Sequence, residues 1–266
     1  MMRGLRAAAD LLLPRVCVVC GRKLHLDEEH LCLMCWAELP LTHFWERTHN
    51  RMADKFNELM GTALNPSSDY TTNHTTDIMR SSKEENSTIS YMRERYAYAA
   101  ALFFYDGAGT FRRIPHQLKY HANLSLGRKF GRLLGQKLRL AGHLCDVDLV
   151  IPVPLHWTRH WKRGYNQAEV IAAEVAQVLC IEMRTDILKR SRRTRTQTKV
   201  DPRNKSTNVT GAFTAIFNNS DMRHILLIDD VFTSGSTLMA CFRALRAVFP
   251  PSVRISVATL AYVGGA

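Results

Sequence analysis

The stretch HILLIDDVFTSGSTLMA, residues 224–240, constrains the fold of this chain more than any other segment. An apolar run from Ile225 to Ile228 is typical of a buried strand, and it leads directly into two acidic residues, Asp229 and Asp230. A loop of small and hydroxyl residues comes next, before a helical pattern begins, and it contains Thr233, Ser234, Gly235, Ser236 and Thr237. Such a loop at the start of a helix presents backbone N–H groups and the positive end of the helix dipole to an anion. The stretch therefore predicts a strand, an anion-binding loop and a helix.

Three other interpretations of the acid pair are weaker. A strand that ends in aspartate also occurs in phosphate-loop ATPases, but the chain contains no G-x-x-x-x-G-K-[ST] motif to hold the phosphates. In response regulators the acid pair follows the first strand, whereas here it follows a late one. Two aspartates could also simply cap the next helix, and the glycine and hydroxyl residues after them favour phosphate binding over that interpretation.

From Tyr96 onward, apolar strands alternate with amphipathic helices. Strands are predicted at residues 97–105, 148–154, 225–229 and 253–260, and helices at 111–118, 126–140, 167–179 and 238–248. Alternation of this kind, with strands that are apolar along most of their length, predicts an α/β fold with a parallel sheet covered on both faces. Ligands of such sheets bind at the carboxyl ends of the strands, where the acid pair is predicted to lie.

Two C-x-x-C pairs near the N-terminus predict a metal site. They contribute Cys17, Cys20, Cys32 and Cys35. Four thiolates suit tetrahedral zinc and leave no open position for water or substrate, so the site is expected to be structural rather than redox-active or disulfide-bonded. The isolated cysteines are expected to be small buried apolar residues, and they are Cys145, Cys180 and Cys241.

Composition limits the class of protein and its partners. The 266 residues, 46% of them hydrophobic, are typical of a globular protein, and the net charge of +12 favours anionic partners such as nucleic acid, polyphosphate ligands or an acidic membrane surface. No run of about 18 apolar residues occurs, so no membrane span is expected. The first 13 residues resemble a short amphipathic helix more than a cleaved signal, which predicts a cytoplasmic protein.

The chain divides into three predicted parts. Residues 1–45 form an N-terminal helix and a zinc knuckle. Residues 46–95 include a long stretch rich in Ser, Thr and Asn, which predicts a polar linker or insertion that buries little apolar surface. Residues 96–266 form the α/β domain.

The sequence LLIDDVFTSGST resembles the ribose-phosphate loop of type I phosphoribosyltransferases, with Phe232 where an aliphatic residue is usual. The resemblance implies a type I phosphoribosyltransferase fold that binds phosphoribosyl pyrophosphate together with Mg²⁺. By the same resemblance, Asp229 and Asp230 bind the ribose hydroxyls, and the loop from Thr233 to Thr237 holds the 5-phosphate.

The rest of the chain resembles the ComF family of competence-associated proteins. The similarity lies in the cysteine unit, in YDGAGTFRRIPHQLKY, in VIPVPLHWTRHWKRGYNQAE and in the basic segment from Lys189. It implies a role in DNA uptake and natural transformation, with single-stranded DNA and a competence helicase as partners. It also assigns pyrophosphate-binding and flexible-loop positions. The pyrophosphate positions are Arg159, Arg163, Gly164 and Lys119, and the flexible-loop positions are Arg193, Gln197 and Arg203.

Three functions remain open at the level of sequence. The first is a phosphoribosyltransferase whose acceptor the residues do not specify. The second is a non-catalytic protein that binds single-stranded DNA or senses a ligand, which the basic segments and the aromatics between them favour. The third is a purine-salvage transferase, which fits the loop but not the zinc knuckle. Residues 189–205 carry eight basic side chains and one acidic one, as expected of a lid, of a nucleic-acid surface or of an open solvated loop.

Overall fold

The computed structural model describes residues 14–64, 94–105, 109–155, 161, 163–190, 212–216 and 222–264. Its strands are β1 Ala99–Tyr105, β2 Leu149–Pro152, β3 Glu182–Met183, β4 Leu188–Arg190, β5 Phe213–Ala215, β6 His224–Phe232 and β7 Arg254–Val263. Five of them form a sheet in the order β1-β7-β6-β2-β3, in which every neighbouring pair is parallel. The parallel sheet confirms the predicted α/β class. Strands β4 and β5 form a separate antiparallel pair that the sequence did not predict.

Helices cover the sheet. They are α1 Leu33–Ala37, α2 Arg51–Leu64, α3 Arg113–Tyr120, α4 Leu124–Arg139, α5 Gln167–Leu179 and α6 Ser236–Arg246. Every residue of β7 from Ile255 to Tyr262 is buried, so both faces of this strand are covered, as the unbroken apolar pattern predicts. No helix among the described residues is long and apolar enough to cross a membrane.

Helices α4 and α5 pack closely through a row of glycines on α4. Gly127, Gly131 and Gly135 are buried, and a Cβ atom added at Gly131 would lie 3.0 Å from the carbonyl oxygen of Ile171 and 3.1 Å from Cβ of Glu174. The helix backbones therefore approach too closely for larger side chains. This packing matters for the site because α5 follows β2 and α4 follows α3, and both connections carry residues of the cavity described below.

The N-terminal cysteines form a compact cluster. The Sγ atoms of Cys17, Cys20, Cys32 and Cys35 all lie within 4.8 Å of one another. The Sγ atoms of Cys20 and Cys32 are 3.7 Å apart, close to the edge of about 3.8 Å in a tetrahedron whose zinc–sulfur bonds are about 2.3 Å. Gly21 has a φ of +76°, so the turn after the first pair uses a conformation that glycine adopts without strain. The cluster has the donor set and spacing of a structural zinc site, as predicted.

Hydrogen bonds within the cluster favour a thiolate at Cys17. Burial raises the pKa of this thiol, but hydrogen bonds from the backbone N–H groups of Cys20, Cys32 and Val19 outweigh burial and lower the pKa to about 7. Because the metal binds the thiolate rather than the thiol, these N–H groups suit a zinc ligand.

The cysteine unit is joined to the core of the main domain. Leu41 forms an antiparallel bridge with Phe103 of β1, so the segment after the unit pairs with the edge of the sheet. Trp36 stacks on Phe130 of α4 with ring centroids 5.2 Å apart. Arg113 of α3 donates from Nη1 to the carbonyl oxygen of Val19 at 2.8 Å. The unit therefore supports the helices that carry the candidate site.

Helix α2 lies inside the segment expected to be a polar linker. Asn50 caps the helix, since its Oδ1 accepts from the N–H groups of Met52 and Ala53, and Phe56 and Met60 are buried with them. The prediction missed this helix because it used the average polarity of the whole stretch. That average hid the helical spacing of the apolar residues. Residues 65–93, most of the predicted linker, lie outside the described residues, as does the predicted helix of residues 1–13. The division into three domains stays a prediction.

We expect purified protein to contain one zinc ion per chain, measured by elemental analysis after exchange into metal-free buffer. Cys32→Ser should release the metal and lower the melting temperature of the whole chain, because the unit packs directly on β1 and α4. Cys145→Ser, at an exposed cysteine outside the cluster, is the control and should change neither value. Zinc-free protein with four freely titratable thiols in the cluster would contradict this prediction.

Gly131→Leu should lower the free energy of unfolding by at least the roughly 1 to 3 kcal/mol typical of overpacked cores, since α4 and α5 must move apart. The matched control is Gly61→Leu on α2, where an added Cβ meets nothing within 4 Å. That substitution should be neutral or stabilising, because leucine is the better helix former by up to about 1 kcal/mol. Urea unfolding of both variants checks the difference, and similar midpoints would refute the proposed close contact.

Candidate functional site

One cavity of about 1450 Å³ lies at the carboxyl ends of three strands. Tyr105 ends β1, Val153 follows β2, and Asp229 lies near the end of β6, and all three line the cavity. The position agrees with the prediction from sequence, because the carboxyl ends of parallel strands meet at the same edge of a sheet.

The acid pair is the most buried charged part of this cavity. Burial, and then the charge of Asp230, raise the pKa of Asp229 to about 7. Asp230 is 9% exposed, and its Oδ2 lies 2.9 Å from Nζ of Lys119 on α3. That oxygen is buried, and among the described residues its polar contact is the ion pair with Lys119. The pair can still accept hydrogen bonds from hydroxyls or contribute oxygens to a cation.

The hydroxyl loop connects β6 to the start of α6, as predicted, although β6 continues to Phe232, three residues beyond the predicted end. The extension occurs because Val231 and Phe232 pair with β7. Thr233 and Thr237 line the cavity, with Ser234, Gly235 and Ser236 between them, and the Oγ atoms of Ser234 and Ser236 are 3.0 Å apart.

Gly235 is required by both conformation and space. Its φ of +77° lies in the left-handed region, and an added Cβ would lie 2.9 Å from Leu59 Cδ1 and 2.9 Å from Phe232 Cζ. The glycine therefore fixes the turn that leads into the first residues of α6.

Arg163 reaches the cavity from the turn before α5. Its Nη1 donates to Oε1 of Gln167 at 3.0 Å, and its guanidinium lies 5.3 Å from the ring centroid of Tyr120. Gly164 comes next, with a φ of +77°. Asn166 caps α5, since its Oδ1 accepts from the N–H of Ala168 at 3.1 Å.

The structure places some predicted residues together and does not describe others. Lys119, one of the predicted pyrophosphate residues, forms an ion pair with Asp230 and lines the same cavity as Arg163. Arg159 of the predicted pyrophosphate loop lies outside the described residues. So do the predicted flexible-loop positions, which are Arg193, Gln197 and Arg203. Their roles stay predictions.

The sequence patterns assigned no individual role to four other residues that line the cavity, namely Arg112, Arg113, His116 and Tyr120. The i, i+4 spacing of His116 and Tyr120, whose rings are 4.5 Å apart, is a signal that could have found two of them. Arg190 ends β4 and its charge acts to lower the pKa of Asp229, against the larger effect of burial. Apart from the acid pair, the charged side chains described in the wall are all cationic. The cavity therefore favours a polyanion that also carries hydroxyl groups.

A second cluster superficially resembles a hydrolase triad. His224 Nε2 lies 2.8 Å from Ser256 Oγ, and Nδ1 lies 2.7 Å from Asp146 Oδ1. Ser256 and His224 are fully buried at the amino ends of their strands, opposite the cavity. Burial lowers the pKa of His224. No substrate could reach this serine, so the cluster joins β6 to β7 and carries no chemistry.

Comparisons with known proteins agree with this geometry. Residues 166–264 match the phosphoribosyl transferase domain family, and residues 8–45 match the double zinc ribbon domain family. The chain is therefore an α/β protein of phosphoribosyltransferase fold with an N-terminal zinc unit.

Curated bacterial relatives are similar to this chain over about half its length. The chain is 33% identical over 135 residues to competence protein F of Haemophilus influenzae, a match that covers 49% of this chain and 59% of that protein. It is 31% identical over 128 residues to the DNA utilization protein YhgH of Salmonella typhi, covering 47% of this chain and 56% of that protein. The chain thus spans less than two thirds of these relatives. With the phosphoribosyl transferase and zinc ribbon domains in the expected order, these matches support the resemblance to the ComF family that the sequence motifs indicate.

Proposed function

We propose that the cavity binds phosphoribosyl pyrophosphate with Mg²⁺, and that the protein acts in DNA uptake or utilisation, as the names of its relatives suggest. The observation that carries the proposal is the position of the acid pair and the hydroxyl loop on the wall of one cavity. A ribose phosphate needs acceptors for its hydroxyls and N–H or O–H donors for its phosphate. Asp229 and Asp230 supply the first, and the loop with the start of α6 supplies the second.

The cationic wall supports the same ligand. Arg163 and Arg190 line the same cavity as the acid pair, where they would face a pyrophosphate attached to C1 of the ribose. When pyrophosphate leaves C1 the negative charge on its oxygens increases, and cations already in place stabilise that charge at little reorganisation cost. Transfer of the ribosyl group to an acceptor at C1 is the reaction class that this arrangement supports.

The acid pair is also suited to binding Mg²⁺. Mg²⁺ prefers oxygen ligands and is commonly bound through one or two carboxylates together with substrate phosphates. The buried Oδ2 of Asp230, which Lys119 contacts at 2.9 Å, is an oxygen of the right type. Bound Mg²⁺ would neutralise charge on the pyrophosphate. The chain's own residues would orient the ribose and hold its phosphate.

Binding of single-stranded DNA is the second candidate, and exposed aromatic side chains support it. Trp161 is 84% exposed and Tyr120 is 64% exposed, and the guanidinium of Arg163 lies over the Tyr120 ring. Aromatic faces beside cations are the features on which unpaired bases stack while the backbone phosphates are neutralised. Such a surface could serve a ligand-sensing protein as well as a transferase.

Asp229→Asn and Asp230→Asn should each weaken phosphoribosyl pyrophosphate binding tenfold or more at pH 8, measured by calorimetry with Mg²⁺ present. Each change removes charge-assisted hydrogen bonds to ribose hydroxyls worth about 1.5 to 3 kcal/mol. The pKa of about 7 sets the pH dependence at Asp229. Below that pH the wild-type carboxyl is mostly protonated, so the penalty of Asp229→Asn should shrink at pH 6.

Glu182→Gln is the control variant, since Glu182 is exposed at the amino end of β3 and its loss changes the net charge equally. It should leave the affinity unchanged. Equal affinity in the wild type and the Asp229→Asn, Asp230→Asn double variant would mean that the ligand sits elsewhere. An oligodeoxythymidine titration of the same proteins tests the second candidate in parallel.

A further inference from the structure

Lys55 of α2 lies against the beginning of the hydroxyl loop. Its Nζ donates to the carbonyl oxygen of Thr233 at 3.2 Å, and the same ammonium lies 5.8 Å from the ring centroid of Phe232. It forms no ion pair with any carboxylate among the residues that the structure describes. A cation without a carboxylate partner is thus hydrogen-bonded to the backbone of a loop suited to an anion.

The core fixes the position of this lysine. Met52, Phe56 and Met60 on the same helix are buried, and the ring of Phe56 packs edge-on against Phe242 of α6 with centroids 6.1 Å apart. Leu59, one turn beyond Lys55, closes the space beside Gly235. Helix α2 therefore supports the loop and the first turns of α6 from behind, and it holds Lys55 at the edge of the loop.

The loop itself carries too little positive charge to balance a bound phosphate. A phosphate monoester carries about −1.5 to −2 charges at neutral pH, and the N-terminus of a helix contributes only about +0.5. The loop side chains from Thr233 to Thr237 are all uncharged. Lys119 is already paired with Asp230, and Arg163 is hydrogen-bonded to Gln167. An ammonium bonded to Thr233 would compensate charge that the loop itself cannot.

We propose that Lys55 is a positioning residue that makes the loop selective for a doubly charged phosphate monoester. Lys55 acts through Thr233. Its hydrogen bond orients the peptide group of Thr233, and its positive charge offsets the partial negative charge of that carbonyl oxygen, which would otherwise repel the phosphate. It also adds a positive charge at the loop. This inference rests on the proposed function, since it names the group that the loop accepts and a residue that determines the preference.

The test compares Lys55→Met, which keeps most of the apolar stem and removes the charge, with Lys55→Arg, which keeps the charge. The probes are ribose 5-phosphate and inorganic pyrophosphate, titrated separately by calorimetry into the full chain with Mg²⁺. Lys55→Met should weaken ribose 5-phosphate binding about fivefold to tenfold at pH 7.5, and less at pH 5.5, where the phosphate carries a single charge because its second pKa is about 6. Lys55→Arg should restore most of the affinity. Pyrophosphate binding should change less than about twofold in either variant, because its cations lie elsewhere in the cavity.

Lys137→Met is the matched control. Lys137 on α4 is also an ammonium near an aromatic ring, 5.4 Å from the centroid of Trp45, so its loss removes the same charge and a similar contact. It should leave ribose 5-phosphate affinity unchanged. Thermal melts of all variants establish that they are folded before titration.

Several results would overturn the inference. The first is an unchanged affinity of Lys55→Met for ribose 5-phosphate. The second is an equal loss of affinity for ribose 5-phosphate and pyrophosphate, and the third is a failure of Lys55→Arg to restore the affinity. The second and third results would indicate a purely structural role. If phosphoribosyl pyrophosphate binds and depends on Asp229 while Lys55→Met has no effect, only the role of Lys55 fails. If neither phosphoribosyl pyrophosphate nor ribose 5-phosphate binds the wild type, the proposed function fails with it.

Discussion

The parallel pairing of the central strand β6 with β7 and β2 determines the geometry of the site. Because these strands and β1 run in the same direction, the segments that connect them to the next helices begin at the same edge of the sheet. The acid pair and hydroxyl loop come from β6, Lys119 from the helix after β1, and Arg163 from the turn after β2. A carboxylate near the end of a buried strand is costly to ionise, which is why the pKa of Asp229 reaches about 7. The charges of Lys119 and Arg190 offset part of that cost.

The supporting layers hold the site through close packing. The glycine row lets α4 approach α5, so the helices next to Lys119 and Arg163 in the chain form one unit. The zinc unit extends this support, since Arg113, at the start of the helix that carries Lys119, is hydrogen-bonded to the backbone between Cys17 and Cys20. Metal binding by the cysteines would therefore stabilise one wall of the cavity as well as the N-terminal unit.

The sequence predicts the parts of this arrangement that depend on local pattern. The strand before Asp229, the loop to Thr237 and the cysteine cluster each follow from residue type and spacing, and the structure has them in place. Tertiary contacts determine the rest. The contact of Lys119 with Asp230 depends on how α3 packs. Strand β3 at the sheet edge is only two residues long, which is too short to give a recognisable strand pattern. Helix α2 was missed because its apolar residues belong to a longer segment, residues 46–95, that is polar on average.

Local sequence pattern also failed to predict which of the single cysteines are buried. Of the three single cysteines expected to be buried, Cys241 is buried, whereas Cys145 and Cys180 are exposed. Apolar neighbours in sequence do not decide which side of a turn faces the core, and both exposed cysteines lie at turns after helical segments. The basic segment after Arg190 and the position of Arg159 lie outside the described residues, so their expected roles rest on the family resemblance.

Hydrogen–deuterium exchange of the full chain, with and without phosphoribosyl pyrophosphate and Mg²⁺, tests the central claim most directly. If the acid pair and the hydroxyl loop hold the ligand, amides from Asp229 to Met239 should exchange more slowly when it is bound, because N–H groups at the start of α6 then donate to phosphate. Peptides containing Lys119 should change with them, and peptides of the amino-end cluster around His224 should not. Protection confined to other regions, or no protection at saturating ligand, would contradict the assignment of this site.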